Sequence, residues 1–259
     1  MKINQAFTIL QQAGGIRAAR IITENVKNLP ALKVWIMARK LRRGVPVAKI
    51  IGQKWFYGLK FFTNKHTLDP RPDTETLVYA VIADCTNNNP RNILDLGTGT
   101  GCIICSLIKN IPNSCGLAID ISSSALRVAR KNIKALGLCD KIQTIRGSFN
   151  NQKLTKQKFD IIVSNPPYIA HNDNRVNDGA MHDPKLALYA DKNGLAAYEA
   201  IATNAKDWLN NNGKLYLEIG INQGKDIQNI FKKNNWNFVC SHNDLSGIER
   251  VLVFDLVAK

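Results

Sequence analysis

Two rhythms of apolar and polar positions divide the chain. Residues 3–43 read as helices. Ile3, Phe7 and Leu10 lie on one face, Ile16, Ala19, Ile22 and Val26 on another, and Leu32, Trp35, Ile36 and Leu41 continue at three- and four-residue spacing. Gly14-Gly15 and Pro30 punctuate these segments, and Gly44 and Pro46 stop the last. Over residues 54–63, Trp55, Phe56, Phe61 and Phe62 flank Tyr57-Gly58, which predicts a short hairpin. From about residue 74, short apolar runs at 93–95, 117–120, 142–145, 159–164, 215–218 and 251–254 alternate with helical stretches. In one of these stretches Ser122-Ser123-Ser124 is a cap-like start, Leu126, Ala129, Ile133 and Leu136 form the apolar stripe, and Gly137 is the stop. Strands alternating with helices predict a mostly parallel sheet covered on both faces. The chain shows no internal repeat.

Composition narrows the class. The 259 residues suit one large domain, or a medium domain with a small companion. A hydrophobic fraction of 45% without low-complexity tracts excludes wholesale disorder. No apolar run is long enough to span a membrane, and the N-terminal stretch does not read as a signal peptide. Six cysteines are too few for a disulfide scaffold, so reduced thiols and a cytoplasmic location are expected.

Net charge is +15, unevenly spread. Residues 1–60 hold 12 Lys or Arg against the single acid Glu24, a balance of +11; residues 61–259 hold 23 against 19, a balance of +4. Arg39, Lys40, Arg42 and Arg43 crowd the end of the helical segment with Lys33. A solvated helical surface explains such a cluster, and so does a docking surface for an acidic protein or RNA.

Two motifs carry chemistry. Asp95-Leu96-Gly97-Thr98-Gly99-Thr100-Gly101 follows the first buried strand and opens the helix Cys102–Lys109. Such a loop at the carboxyl end of a strand is where open α/β sheets bind nucleotides. The spacing is G-x-G-x-G, and no Lys-Ser/Thr follows, so a nucleoside ligand without a phosphate fits better than a nucleotide. The second strand ends in Asp120, where a carboxylate can accept both ribose hydroxyls; a helix-capping role is the alternative. Cys102 and Cys105 have redox or metal spacing but lie in an apolar helix, and read as packing residues.

The fourth strand, 159–164, ends in Asn165-Pro166-Pro167-Tyr168. Two prolines fix φ and remove two N–H donors, and Pro166 pushes Asn165 out of helical space. The turn is therefore rigid and suits a planar N–H₂ group. Its two hydrogens can go to the Asn165 side-chain oxygen and the Pro166 carbonyl, fixing the nitrogen toward an electrophilic methyl.

Together, DLGTGTG (95–101) and NPPY (165–168) resemble class I S-adenosylmethionine-dependent methyltransferases acting on amino groups. Further stretches resemble the HemK/PrmC family: Pro70-Arg71-Pro72-Asp73-Thr74-Glu75, the hairpin Phe56-Tyr57-Gly58-Leu59-Lys60-Phe61, Asp183-Pro184-Lys185-Leu186-Ala187-Leu188 with Asn193-Gly194-Leu195, Glu218-Ile219-Gly220 with Gln223, and Asp244-Leu245-Ser246-Gly247 with Arg250-Val251. The resemblance covers about residues 44–259. It implies a Rossmann-like class I methyltransferase sheet (70–259), a hairpin linker (54–69) and a small basic helical docking domain (1–53). It also implies S-adenosyl-L-methionine as cofactor, no metal, and methylation of the glutamine N5 in the Gly-Gly-Gln tripeptide of class 1 peptide chain release factors.

By position, the resemblance puts Gly97, Thr98, Gly99, Thr100 and Gly101 along the cofactor methionine and ribose, with Asp95 at the base of the loop. Asp120 would take the ribose hydroxyls and Phe149 would stack on adenine. Asn165 would touch both cofactor and substrate, and Pro166, Pro167 and Tyr168 would shape the glutamine slot. The sequence departs from the family pattern at Ser148, where an acidic residue is usual and Asn150 or Asn151 is left to meet the adenine amine. Asp69 replaces an apolar residue and Asp183 replaces Glu. The helical N-terminal segment is shorter than the family's. A monomer with no stable nucleic-acid binding and no membrane contact is expected. The other readings are a ribosomal-protein glutamine methyltransferase, an adenine-N6 nucleic-acid methyltransferase, which lacks room for a target-recognition domain, and a non-catalytic binding protein.

Overall fold

The computed structural model describes residues 1–85, 91–151, 154–173 and 180–257. Helix α1 (Ile3–Asn25) is broken at Gly15, whose φ of 83° departs from helical geometry. It packs against α2 (Ala31–Arg42), which is followed by the short α3 (Val47–Ile51). These helices share a core of Ala6, Leu10, Ala19, Ile22, Val34, Met37 and Ala38. Here the apolar pattern misleads. Ile3, Ile16, Leu32, Trp35 and Ile36 are exposed. Helix α2 carries two apolar stripes, and the inward one is Val34, Met37, Ala38 and the partly buried Leu41. Small side chains let α1 approach that stripe, which leaves the larger Trp35 stripe outside.

Strands β1 (Gln53–Phe56) and β2 (Leu59–Phe62) form the expected hairpin about Tyr57-Gly58. Both turn residues have positive φ, as a two-residue hairpin turn requires. Phe56 and Phe61 are buried against the large core, so the hairpin is packed onto it.

The rest alternates: α4 (Glu75–Asp84), β3 (Asn92–Leu96), α5 (Cys102–Asn110), β4 (Cys115–Asp120), α6 (Ser123–Ala135), β5 (Ile142–Arg146), β6 (Phe159–Ser164), β7 (Ile169–Ala170), α7 (Lys185–Leu188), β8 (Tyr189–Ala190), α8 (Asp191–Gly194), α9 (Ala196–Asn204), β9 (Leu209–Glu218), α10 (Gly224–Lys233), β10 (Trp236–Asn243) and β11 (Glu249–Leu256). Ser122 caps α6, its hydroxyl accepting from the Ala125 N–H. The main sheet has seven strands in the order β10-β11-β9-β6-β3-β4-β5. Strands β5, β4, β3, β6 and β9 run parallel, and β11 and β10 close the sheet antiparallel.

Alternating residues of each central strand face opposite cores. Ile93, Ile161, Val163, Tyr216, Val251 and Val253 pack with α4 and α5. Leu94, Ile162, Leu215, Leu217, Leu252 and Phe254 pack with α9 and α10. Strand β10 escapes the hydropathy pattern because most of its residues are exposed at the sheet edge. Cys102 and Cys105 are packing residues: burial pushes the Cys102 thiol up to about 12 and raises Cys105 as well.

A buried ionic cluster ties α3 to the segments that lead into α4 and α7. Lys49 of α3 lies 2.9 Å from both Asp69 and Asp183, and Arg71 reaches the other Asp183 oxygen at 2.7 Å. Asp69 and Asp183, two of the departures from the family pattern, thus share one lysine. That lysine also donates to the carbonyls of Asn64 and Thr67.

Candidate active site

Register places the chemistry along one edge of the sheet. Leu96 pairs with Ile119 on one side and Ser164 on the other, and Ser164 with Leu217. One residue further on, at the carboxyl ends of neighbouring strands, stand Asp120, Gly97, Asn165 and Glu218 in that order. The chain leaves β3 toward β4 and β5 and returns to β6 on its other side. That reversal creates the crevice in which open α/β sheets bind ligands.

The glycine loop is fastened from beneath. Gly97 and Thr98 donate to the Ile119 carbonyl, and Gly99 donates to an Asp120 carboxylate oxygen at 2.9 Å. The loop glycines have φ of 76°, 56° and 78°, which side chains rarely tolerate. The other Asp120 oxygen accepts from the Ser122 N–H at 2.8 Å. Asp120 therefore supports both the loop and the turn into α6, and its carboxylate keeps spare lone pairs at the crevice. The capping alternative is met elsewhere, since Ser122 itself caps α6. Burial raises the Asp120 carboxyl pKa, against the two N–H donors.

Asp95 is fully buried beneath the loop. One oxygen accepts from the Thr98 hydroxyl at 2.6 Å; the other has no hydrogen-bond partner among the described residues. Burial pushes its pKa up to about 7. Thr100 is buried and its carbonyl accepts from Asn132 of α6. Phe149 follows β5, half-buried at the margin of the α9–α10 core, and its carbonyl accepts from Asn204. Ser148 bonds the N–H of Asn150 locally.

The turn Asn165–Tyr168 is held by residues distant in sequence. Asn165 donates its side-chain amide to the Thr74 hydroxyl at 3.1 Å. Pro166 is buried, while Pro167 and Tyr168 are half-buried. The Tyr168 carbonyl accepts from Gln223 at 3.0 Å, and the Gln223 oxygen accepts from the Gly220 N–H at 3.0 Å. Gly194 has φ of 86°, and a Cβ there would lie 2.1 Å from the Tyr168 carbonyl oxygen. Burial, then the neighbouring Glu218, pushes the Tyr168 phenol up to about 12, so it stays neutral.

Each polar residue of Arg71-Pro72-Asp73-Thr74-Glu75 makes a separate tie. Arg71 reaches Asp183, Asp73 reaches Arg250 at 3.1 Å, Thr74 reaches Asn165, and Glu75 accepts from the Tyr57 N–H at 2.7 Å. The motifs noted in the sequence are thereby joined through space around one turn. Residue-level reading gave no role to Thr74 or Glu218. The signal for Glu218 was an acid closing an apolar strand. It is buried, its Oε2 has no hydrogen-bond partner among the described residues, and burial pushes it up to about 7.

The crevice thus brings together a backbone loop open to close approach and the Asp120 carboxylate, with Asn165 on the neighbouring strand. Among the described residues no group of His, Cys, Asp and Glu could hold a metal ion. No described helix is long and apolar enough to cross a membrane.

Residues 72–183 match the family model described as the methyltransferase small domain. A bifunctional methyltransferase of Rickettsia prowazekii is 41% identical over 80% of this chain and 44% of its own length. The chain spans about half the length of that relative and its Rickettsia counterparts. A release factor glutamine methyltransferase of Neisseria gonorrhoeae is 34% identical over 95% of this chain and 91% of its own length. Among solved structures, a ribosomal protein L11 methylase of Lactobacillus delbrueckii subsp. bulgaricus superposes with a TM-score of 0.55 at 19% identity, covering 74% of this chain and 82% of that one. The fold is thus the class I methyltransferase α/β sheet, as the family resemblance implied, and its strands are mostly parallel, as the strand–helix alternation predicted.

Proposed function

The chain belongs to the release factor glutamine methyltransferase family, and on that premise we propose that it transfers a methyl group from S-adenosyl-L-methionine to the glutamine N5 of the Gly-Gly-Gln tripeptide in class 1 release factors. The observation that carries this reading is the braced turn Asn165–Tyr168 one strand away from the glycine loop.

The loop Gly97–Gly101, Asp120 and Phe149 would hold the cofactor, and the buried Asp95, with its unpartnered oxygen, would face its amino-acid end. The cofactor supplies an electrophilic methyl on a positively charged sulfur. The protein's task is to present a weak nucleophile in line with it. An amide nitrogen is weak because its lone pair is delocalised. The Asn165 oxygen and Pro166 carbonyl would accept its two hydrogens, fix its orientation and stabilise the positive charge that develops as the new bond forms. Tyr168, neutral and flat, would line the slot. Once methylated, the nitrogen loses a proton readily, so the scheme needs no strong base.

The test is transfer of labelled methyl to purified release factor, ribosomal protein and DNA in parallel. Label on the Gly-Gly-Gln glutamine alone is the expected result. Label on the ribosomal protein or DNA without release factor overturns the reading.

A further inference from the structure

Asn165 carries an amide whose two ends have opposite hydrogen-bonding character. Only one orientation is productive: the oxygen must face the substrate, because a substrate N–H₂ met by the Asn165 N–H₂ sets donor against donor. Two prolines fix the backbone of the turn but leave the side-chain amide free to turn over. Something else in the fold must choose.

Thr74 and Glu218 stand where that choice is made. Thr74 is buried, and its hydroxyl accepts from Asn165 Nδ2 at 3.1 Å. A hydroxyl that accepts in this way still has a proton to place. The Glu218 carboxyl, buried at the end of β9 beside Asn165, faces both the Thr74 hydroxyl and the Asn165 amide, whose hydrogens draw its pKa down against burial. In its ionised form, which burial shifts to above about pH 7, this carboxylate only accepts, so it can accept from the Thr74 hydroxyl and one Asn165 N–H but cannot pair with the Asn165 oxygen.

We propose that Thr74 and Glu218 are positioning residues that fix the Asn165 amide with its nitrogen inward and its oxygen toward the substrate glutamine. The hydrogen bond from Asn165 to Thr74 would then continue, through the Thr74 proton, to Glu218. An acid buried at the heart of a crevice, where it costs stability, has its use in setting that direction. Thr74 sits within a motif whose other polar residues tie elements together; its own tie is to the catalytic turn. The inference rests on the proposed glutamine transfer.

The experiment compares Thr74→Val, Thr74→Ser and Glu218→Gln with the wild-type chain, using release factor as substrate. Melting temperature and calorimetric S-adenosylmethionine affinity report folding and cofactor binding. Valine keeps the shape of threonine without its hydroxyl, and glutamine keeps the shape of glutamate but can present a donor. Thr74→Val is expected to lower kcat about tenfold or more, the consequence of leaving one buried donor unpaired and the amide undirected. KM for release factor and cofactor affinity should stay within about twofold. Thr74→Ser should recover most of the loss, and Glu218→Gln should behave like Thr74→Val. Wild-type kcat in Thr74→Val or in Glu218→Gln, or a Thr74→Val loss that serine does not recover, overturns the proposal. A wild-type chain that leaves release factor unlabelled instead overturns the glutamine-transfer reading on which it rests.

Discussion

Gln223, at the entry to α10, spans from the Gly220 N–H to the Tyr168 carbonyl, with both hydrogen bonds at 3.0 Å. A single side chain thereby fixes the end of the Asn165–Tyr168 turn to the loop after β9. Beside it, the chain at Gly194 approaches the same carbonyl so closely that no side chain fits. The Tyr168 carbonyl is thus met by residues 26 and 55 positions away in sequence.

Gln223→Leu keeps the bulk of this strut and removes both hydrogen bonds. Each backbone group left without a partner costs about 1–3 kcal/mol where water cannot replace it. The melting temperature should fall, and kcat/KM for release factor should drop roughly tenfold as Tyr168 loses its placement. Steady-state kinetics beside a thermal melt check this. A variant that melts lower yet keeps full kcat/KM would show that Tyr168 does not depend on the strut.

Asn165→Ala tests the turn directly. It removes one preorganised polar contact to the reacting amide, a loss that typically costs about 10²–10³ in turnover. The glycine loop and Asp120 are fastened to β4 and do not depend on Asn165. Cofactor affinity measured by calorimetry should therefore be retained. Near-normal turnover would remove Asn165 from the proposed mechanism.

How far the sequence revealed this site depended on whether a feature was local. The glycine loop, Asp120 and the two prolines were legible because strand ends and turn chemistry are written in consecutive residues. The hairpin at Tyr57-Gly58 was legible for the same reason. Strand β10 was hidden because its exposed edge residues carry no apolar pattern. Helix α2 was misread at its face, since Leu32, Trp35 and Ile36 form a stripe as regular as the buried one and only the small residues of α1 decide between them. Thr74 and Glu218 illustrate a third case. Their place beside Asn165 arises from the register of β6 against β9 and from the docking of α4, which no residue spacing encodes.

That misread face bears on the charge. Trp35, Leu32 and Ile36 are exposed on the helix that also carries Arg39, Lys40 and Arg42, with Arg43 at its C-cap. An apolar patch with basic neighbours suits an acidic protein surface better than a merely solvated one. Reversing those four charges to Glu should raise KM for intact release factor several-fold, steeply so at low salt, where surface electrostatics is least screened. A short Gly-Gly-Gln peptide reaches only the crevice and should be affected far less. Equal losses for both substrates would count against docking.

Glu218 also links pH to stability. Burial pushes its pKa up to about 7 from an ordinary 4.5, against the Thr74 and Asn165 hydrogens and Arg250 of β11, while Asp73 ahead of α4 raises it further. Tyr168 and Tyr198 of α9 face the same carboxyl and feel its charge. The folded chain therefore holds this proton more tightly than the unfolded chain. Below about pH 4.5 both states carry it, and the full contribution to stability is present. As pH rises toward about 7 the unfolded chain releases the proton first, and that contribution is lost. Asp95, raised to about 7 by its own burial, acts in the same direction. Glu218→Gln removes the Glu218 titration and leaves that of Asp95. Relative to the wild-type chain, its cofactor-free melting temperature should rise as pH goes from about 5 to about 8, measured by calorimetry at fixed ionic strength. A relative melting temperature independent of pH would mean that Glu218 is not held protonated by burial. If the relative rise is found together with reduced turnover, the wild-type carboxylate gives up stability above neutral pH in exchange for a directed Asn165.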